Sequence, residues 1–454
     1  MSLQLAGFPA LNARELYLKM RNYPYDCSEQ LAARGLTLLQ LLPLLSEADA
    51  AEAREQIPLL VNKLYARQSA DGGFSYWGGS PSGGWVTSMA GHFLTEASKA
   101  GFEVNAGVLK NWKGFQQKTS QTYRVSGNKT HAHLDEAYRL YTLALAGAPS
   151  QSGMNRLRES GDIGQQARYM LAGAYALAGK AQTAGQVLEG LGRDFPEYTP
   201  NTLTYGSSTR DKMVALDALV LSGRVADALA LAVDGLPSRG LSTQESAFAA
   251  VAYRHLYEQV PTSVIKASLG TQDVVSSKSL VSLPVTADAS VRSNSEGTLY
   301  GALVSITREP VQKAVSNGLK LEVKYLDEGG ASVQPASLVQ GTRLRATVKV
   351  SNAAGRDLEN LALSLRIPSG WEIVNDRLAG GTPDDGYDHK DIRDDRVNWF
   401  FALPAGRYKS FTVQLRAAYE GVYELPAVVC EAMYEPGVNA ATPSGTAKVV
   451  RRRD

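Results

Sequence analysis

The sequence predicts a multidomain α + β protein in which a helical part precedes a β-rich part. Up to about residue 260, apolar residues recur at helical spacing, and many of these segments end at Gly or Pro. Beyond Pro261, apolar and polar residues alternate in short runs separated by turn residues. A chain of 454 residues also exceeds one ordinary core. We therefore expect more than one domain.

The helical part predicts paired helices joined mostly by short loops. The expected helices cover residues 12–22, 28–46, 49–68, 84–101, 104–119, 131–147, 150–159, 163–178, 180–194, 209–222, 223–236 and 242–258. About twelve helices of this length favour an α/α toroid. We assign residues 1–260 to it.

The remaining sequence predicts two kinds of β-structure. Residues 261–317 contain three short strand-like runs, SVIKASLG, SLVSLPVTA and LYGALVSI. Residues 318–454 contain longer alternating runs such as LRATVKVSN and YKSFTVQLRAAY, separated by Gly, Pro, Asn and Asp. This second pattern is typical of an antiparallel β-sandwich of roughly seven strands.

Composition excludes several classes of function. The chain is 44% hydrophobic and 20% charged, with a formal net charge of +2, which is ordinary for a soluble globular protein and gives no basis for nucleic-acid binding. No apolar run reaches the length of a membrane span, and no zinc-type cluster is present. Two cysteines are too few for a disulfide scaffold. We expect Cys430, in a strand-like run, to be a small buried residue.

The most informative segment is Tyr23–Gln30, YPYDCSEQ. Cys27 precedes Gln30 by three residues, so its thiolate can attack the side-chain amide, expel ammonia and leave an internal thioester. From Ser28 onward the leucines recur at helical spacing, and Ser28 can cap this helix. Cys27 therefore lies at a helix N-terminus, where a thiolate is expected to be favoured. The alternative interpretation is an ordinary buried cysteine before a helix.

This Cys-x-Glu-Gln motif after an aromatic-rich turn resembles the thioester proteins, namely α2-macroglobulins, complement factors and bacterial α2-macroglobulin-like protease traps. The resemblance continues through LYARQSADGGFSYWGGSPSGGWVTSMAGHFLTEA, LTYGSSTRDKMVALDAL, LGTQDVVSSKSL with EGTLYGALV, and YDHKDIRDDRVNWFFALPAGRYKSFTVQLRAAYEGVYELPAVVCEAMYEP. It covers nearly the whole chain. It implies a thioester domain (1–260), a partial CUB-like segment (261–317) and a C-terminal macroglobulin-type domain (318–454).

One position departs from the family pattern. Asp26 stands where the family usually carries Gly before the cysteine. Asp tolerates a left-handed backbone better than most residues, so the turn is expected to survive. Its carboxylate is expected to oppose a thiolate.

The resemblance implies a covalent protease inhibitor and not an enzyme. A target endopeptidase would cleave a bait region in upstream macroglobulin domains of the same polypeptide. A surface lysine of the protease would then attack the acyl carbon of Gln30, with Cys27 as the leaving group. The resemblance implies a bacterial defence role in the periplasm or at the cell surface, with tethering through the upstream part. It implies no cofactor, no metal and no membrane insertion by this segment.

A thioester must be kept from water until it is triggered. We expect Glu29, Tyr23 and Tyr25 to support it locally, and we expect Met433 and Tyr434 of the β-sandwich to shield it. We also expect the Gln68-x-x-Asp-Gly-Gly-Phe loop to tie two helices together.

Two other functions remain open. One is an opsonin-like module that acylates hydroxyls on surfaces, and the other is a structural homologue whose thioester never forms. Complement-type domains can use a histidine to form an acyl-imidazole, but the corresponding stretch KGFQQKTSQTYR contains none. His131 and His133 are the remaining candidates, although helix capping explains them as well. We therefore predict direct aminolysis.

Overall fold

A computed structural model of the chain describes residues 1–9, 11–124, 130–198, 204–233, 240–260, 264–278, 280–286, 290–305, 312–374 and 386–451. The chain divides into two compact units, residues 1–306 and 307–454.

The described part of the first unit contains twelve α-helices and one short 3-10 helix at Leu42–Leu44. The α-helices are α1 (Ala13–Arg21), α2 (Ser28–Leu41), α3 (Glu47–Tyr65), α4 (Gly84–Lys99), α5 (Ala106–Thr122), α6 (Thr130–Leu145), α7 (Gln151–Arg158), α8 (Gln165–Leu177), α9 (Ala181–Leu188), α10 (Ser208–Leu221), α11 (Val225–Val233) and α12 (Thr243–Gln259). They correspond one by one to the helices that the sequence predicts.

The even-numbered helices form a closed inner ring, because each packs against the next and α12 packs against α2. The odd-numbered helices lie outside and pack mainly against their neighbours in the chain. Burial follows this division. Thirteen of the fourteen residues of α2 are buried, whereas α5 buries only Trp112, Gln116 and Ser120, a single stripe at four-residue spacing. The predicted α/α toroid is confirmed.

The inner helices begin at the same end of the ring. Thr243, the first residue of α12, contacts Glu29 in the first turn of α2, and Gln244 contacts Trp85 near the start of α4. Helix N-termini carry unsatisfied N–H groups and a partial positive charge. This end of the ring therefore concentrates backbone donors around the segment that begins α2.

Six strands complete the described part of the first unit, namely β1 (Ser2–Ala6), β2 (Ile265–Leu269), β3 (Gln272–Ser276), β4 (Leu280–Pro284), β5 (Val291–Ser293) and β6 (Tyr300–Val304). They form two three-stranded antiparallel sheets, β4-β1-β6 and β3-β2-β5, around a small core. Sequence reasoning missed β1, because a five-residue segment shows too little alternation to be recognised. It pairs with strands some 280 residues away.

The second unit contains thirteen strands among its described residues. They are β7 (Val315–Asn317), β8 (Leu319–Asp327), β9 (Leu338–Val339), β10 (Arg343–Asn352), β11 (Leu358–Arg366), β12 (Trp371–Val374), β13 (His389–Ile392), β14 (Arg396–Leu403), β15 (Tyr408–Ala417), β16 (Gly421–Leu425), β17 (Val429–Ala432), β18 (Asn439–Ala441) and β19 (Gly445–Val450).

These strands form a four-stranded sheet, β12-β15-β10-β8, and a six-stranded sheet, β13-β14-β11-β17-β18-β7. A third, three-stranded sheet has the order β16-β19-β9. Residues of both larger sheets share one core, in which the rings of Trp399 and Phe411 lie 5.4 Å apart. The predicted β-sandwich is confirmed. Its strand number exceeds the prediction because β7, β9, β12, β13 and β18 are only two to four residues long.

None of the helices in the described ranges combines the length and the apolarity that crossing a membrane requires.

Candidate functional site

Cys27 is the N-cap of α2, and its side chain and that of Gln30 are both completely buried. The backbone N–H of Cys27 donates a hydrogen bond to Oε1 of Gln30 at 3.2 Å. The backbone N–H groups of Glu29 and Gln30 in turn donate to the Cys27 sulfur. This reciprocal arrangement is a capping box, and it folds the amide of Gln30 back over the residue that carries the thiol. The cap is Cys27, and Ser28, the expected cap, is the first helical residue.

Burial raises the pKa of the Cys27 thiol far above its ordinary value, and the neighbouring Glu29 carboxylate raises it further. The expectation that Cys27 is favoured as a thiolate was therefore wrong for this buried position. The hydrogen bonds from the first backbone N–H groups of α2 lower the pKa of the Cys27 thiol, but the rise caused by burial is larger. An uncharged form of the sulfur, as a thiol or a thioester, is the stable one here.

Glu29 is fully buried and is held by the first two residues of α12. Oγ1 of Thr243 donates to its two carboxylate oxygens at 3.1 and 3.3 Å, and Nε2 of Gln244 donates at 3.1 Å. Nε1 of Trp85 donates to Oε1 of Gln244 at 3.3 Å. These bonds join α2, α12 and α4. Sequence reasoning missed Thr243 and Gln244, which lie more than two hundred positions from the motif.

Asp26 takes part in two ion pairs, with Arg34 at 2.7 Å and with Lys63 at 2.6 Å. The described non-glycine residues with positive φ are Tyr205 and Asn360, so the turn at Asp26 does not need a left-handed backbone. Its charge is also compensated by the two cations. The carboxylate that opposes a Cys27 thiolate is that of Glu29.

An aromatic cluster surrounds the start of α2. Tyr25 is buried and Tyr23 is partly buried, and their rings meet edge to face at 5.4 Å. The hydroxyl of Tyr76 donates a hydrogen bond to the Cys27 sulfur. The ring of Tyr205 lies 5.3 Å from that of Tyr76. Tyr76 is a further site residue that sequence reasoning missed.

The loop that carries Tyr76 is fixed at several points. Nε2 of Gln68 donates to the carbonyls of Gly72 and Val108, which ties the loop to α5 and confirms the expected linking role. Gly72 has φ +93°, and a Cβ there would lie 2.4 Å from the carbonyl oxygen of Asn111. The glycine is thus required by both backbone conformation and space. The result is a rigid loop beside the motif.

His131 and His133 lie in the first turn of α6, at the end of the ring where α2 also begins. The ring of His131 lies 5.7 Å from that of Tyr198. The pKa of His131 is lowered mainly by burial and to a smaller extent by the nearby positive charge of Arg210. His133 is fully buried, and neither ring nitrogen has a hydrogen-bond partner among the described residues. The described residues also contain no group of side chains suited to a metal ion.

Met433 and Tyr434 lie in the second unit, in the turn between β17 and β18, and both are buried. The N–H of Met433 donates to the carbonyl of Asn360 at 3.1 Å. Cys430, in the neighbouring strand, is a free, fully buried thiol in the sandwich core, as the sequence predicts. The shielding role of the two turn residues stays a prediction.

Comparison with known proteins gives a consistent result. Residues 318–437 match the profile of the bacterial alpha-2-macroglobulin MG10 domain. Alpha-2-macroglobulin of Rickettsia conorii is 23% identical over 91% of this chain and 23% of its own length. That of Escherichia coli K12 is 24% identical over 99% of this chain and 30% of its own length. The chain thus spans between a fifth and a third of these relatives.

Solved structures share the fold. The crystal structure of native E. coli alpha-2-macroglobulin from domain MG7 to the C-terminus has a TM-score of 0.78 at 20% identity, covering 99% of this chain and 77% of that one. Salmonella alpha-2-macroglobulin reacted with methylamine has a TM-score of 0.79 at 21% identity, covering 99% of this chain and 31% of that one. The profile match, the relatives and the fold agree. The chain is therefore similar to bacterial alpha-2-macroglobulins over nearly its whole length.

Proposed function

We propose that this chain is the thioester-bearing part of a covalent endopeptidase inhibitor. The observation that carries the proposal is the reciprocal capping of Cys27 and Gln30, two fully buried side chains at the start of α2. A thioester needs a thiol held against an amide carbon and protected from water. The capping box brings these two side chains together and both are buried, whereas an ordinary buried cysteine requires no glutamine folded back over it.

The relatives support an amine as the natural nucleophile. A Salmonella alpha-2-macroglobulin of the same fold has been solved after reaction with methylamine. In this chain a lysine amine on the protease would attack Cδ of Gln30, the C–S bond would break, and Cys27 would leave as a thiol. Each molecule can react once, so the protein acts as an inhibitor and not as an enzyme.

The rest of the mechanism depends on parts outside this sequence. We propose that upstream macroglobulin domains of the same polypeptide carry the bait region, and that the whole protein acts in the periplasm or at the cell surface. The raised pKa of Cys27 supports a triggered reaction, because the buried site makes thiolate departure costly. A rearrangement that admits water and the lysine would remove this cost.

The intact mass of the purified chain tests the proposal directly. Closing the ring removes one ammonia, so the chain should be lighter than its sequence mass by about 17 Da. Methylamine should then add its full mass, with the label on Gln30 and one newly reactive thiol at Cys27. A chain at full sequence mass that takes up no methylamine would show that the structural-homologue alternative is correct.

Direct aminolysis has a distinct pH dependence. The attacking amine must be deprotonated, and a lysine amine has a pKa of about 10.4, so the rate with methylamine should rise roughly tenfold per pH unit at neutral pH. An acyl-imidazole route would instead level off near or below the ordinary histidine pKa of about 6.5, since burial lowers the pKa of His131. Rates measured from pH 5 to 9 decide between these profiles.

The same experiment addresses the opsonin-like alternative. Transfer to glycerol should be negligible in the wild-type chain, and His131→Ala and His133→Ala should leave methylamine uptake unchanged. Efficient glycerol transfer that either variant abolishes would identify a histidine intermediate and a hydroxyl-acylating function.

Shielding by the second unit is tested at Met433 and Tyr434. We expect Met433→Glu and Tyr434→Ser to accelerate spontaneous loss of the thioester, because a charge or a lost ring admits water. The measurement is the rate at which the Cys27 thiol appears in buffer without amine. Tyr419→Ser is the matched control, since Tyr419 is an exposed tyrosine of the same unit. Equal rates in all four proteins would exclude the shielding role.

A further inference from the structure

The loop of residues 68–83, which carries Tyr76, brings the hydroxyl of this tyrosine to the sulfur of Cys27. The carbonyl of Tyr76 accepts a hydrogen bond from the N–H of Ser28 at 3.0 Å, which joins the loop backbone to the first residue of α2. The Tyr76 hydroxyl donates to the sulfur of Cys27. Residue 76 is therefore held at both its backbone and its side chain against the start of this helix.

Departure of the sulfur is the difficult part of thioester opening at this site. Cys27 is completely buried, and the carboxylate of Glu29 lies close enough to disfavour a negative charge on it. Groups that donate to the sulfur offset this cost, namely the N–H groups of Glu29 and Gln30 and the Tyr76 hydroxyl. The two N–H groups belong to α2 itself, whereas Tyr76 comes from a separate loop.

We propose that Tyr76 is a catalytic residue of thioester opening, with its hydroxyl stabilising the Cys27 sulfur as the C–S bond breaks. This inference rests on the proposed thioester. The amine lone pair attacks Cδ of Gln30, the C–S electron pair moves to the sulfur, and the proton lost by the amine nitrogen ends on the sulfur. Amine and thioester thus give amide and thiol, and Tyr76 is unchanged overall.

The surroundings of Tyr76 suit a donor. Burial raises the pKa of Tyr76 well above its ordinary value, and proximity to Cys27 raises it further, so the hydroxyl keeps its proton at physiological pH. The loop is also anchored next to Tyr76, since the N–H of Phe74 donates to Oγ1 of Thr87 at 2.8 Å. The ring of Tyr205 packs against that of Tyr76, with the ring centroids 5.3 Å apart. Preorganised donors of this kind act where charge develops.

Tyr76→Phe tests the inference. The variant keeps the ring and removes the donor, so the thioester should still form and methylamine opening should slow by roughly tenfold to a hundredfold, as expected for a bond to a developing charge. Tyr205→Phe is the matched control, because it removes a hydroxyl from the adjacent ring, and it should open at the wild-type rate. The pH dependence of Cys27 alkylation after opening, in a Cys430→Ala background, should shift upward in Tyr76→Phe alone.

The outcomes separate the two proposals. A wild-type chain with neither the mass loss nor methylamine uptake would overturn the proposed function and this inference with it. Normal opening of the wild type with an equal rate in Tyr76→Phe would overturn only the role of Tyr76, as would equal slowing by Tyr205→Phe. Where Tyr76→Phe fails to close the ring, an unshifted alkylation profile for Cys27 overturns the inference.

Discussion

Cys27→Ala abolishes covalent incorporation of methylamine at Gln30 while leaving the fold intact. Without the sulfur no acyl leaving group exists, and an ordinary glutamine amide does not react with amines under these conditions. Removing one small buried side chain should lower the free energy of unfolding by only about 1–2 kcal/mol. The measurement is mass spectrometry of the intact chain and of the peptide that contains Gln30, before and after methylamine.

Cys430→Ala is the control for this prediction. Both cysteines are fully buried and neither forms a disulfide, and the sequence contains only these two. Cys430→Ala should retain both the mass loss and the methylamine adduct. Labelling of Gln30 in Cys27→Ala to the wild-type extent would show that some other chemistry modifies this glutamine.

Gly91→Ala strongly destabilises the helical ring. A Cβ at Gly91 of α4 would lie 1.9 Å from the indole of Trp112, which is fully buried and donates from Nε1 to the carbonyl of Thr87 at 2.9 Å. Either α5 must move outward or the indole must leave its site. The free energy of unfolding should fall by about 3 kcal/mol, at the upper end of overpacking effects. Urea unfolding followed by the helical circular dichroism signal measures it.

The control is another helical glycine with open space around it. Gly114 of α5 is exposed, and a Cβ there meets no heavy atom within 4 Å. Gly114→Ala should therefore raise the free energy of unfolding by about 0.5–1 kcal/mol, since alanine is the better helix former. Equal effects of the two substitutions would contradict the close approach of α4 and α5.

Local patterns were sufficient to predict the helical ring and the contact between Cys27 and Gln30. Apolar spacing located all twelve helices in the described residues, because each inner or outer helix must bury a face of its own. The three-residue separation of Cys27 and Gln30 also suffices to predict their contact, since it is the separation of N-cap and third helical position. The strands that the sequence missed, such as β1, β7 and β9, are only two to five residues long, and their partners rather than their own pattern stabilise them.

The sequence by itself determined which chemistry is present, a thiol and an amide at a helix N-terminus. Tertiary structure alone decided how that chemistry is controlled. Complete burial and the carboxylate of Glu29 reverse the expected direction of the Cys27 pKa shift, and Thr243 and Tyr76 reach the site from distant segments. The physical reason is that desolvation and hydrogen bonding depend on neighbours in space, whereas a sequence motif specifies only neighbours along the chain.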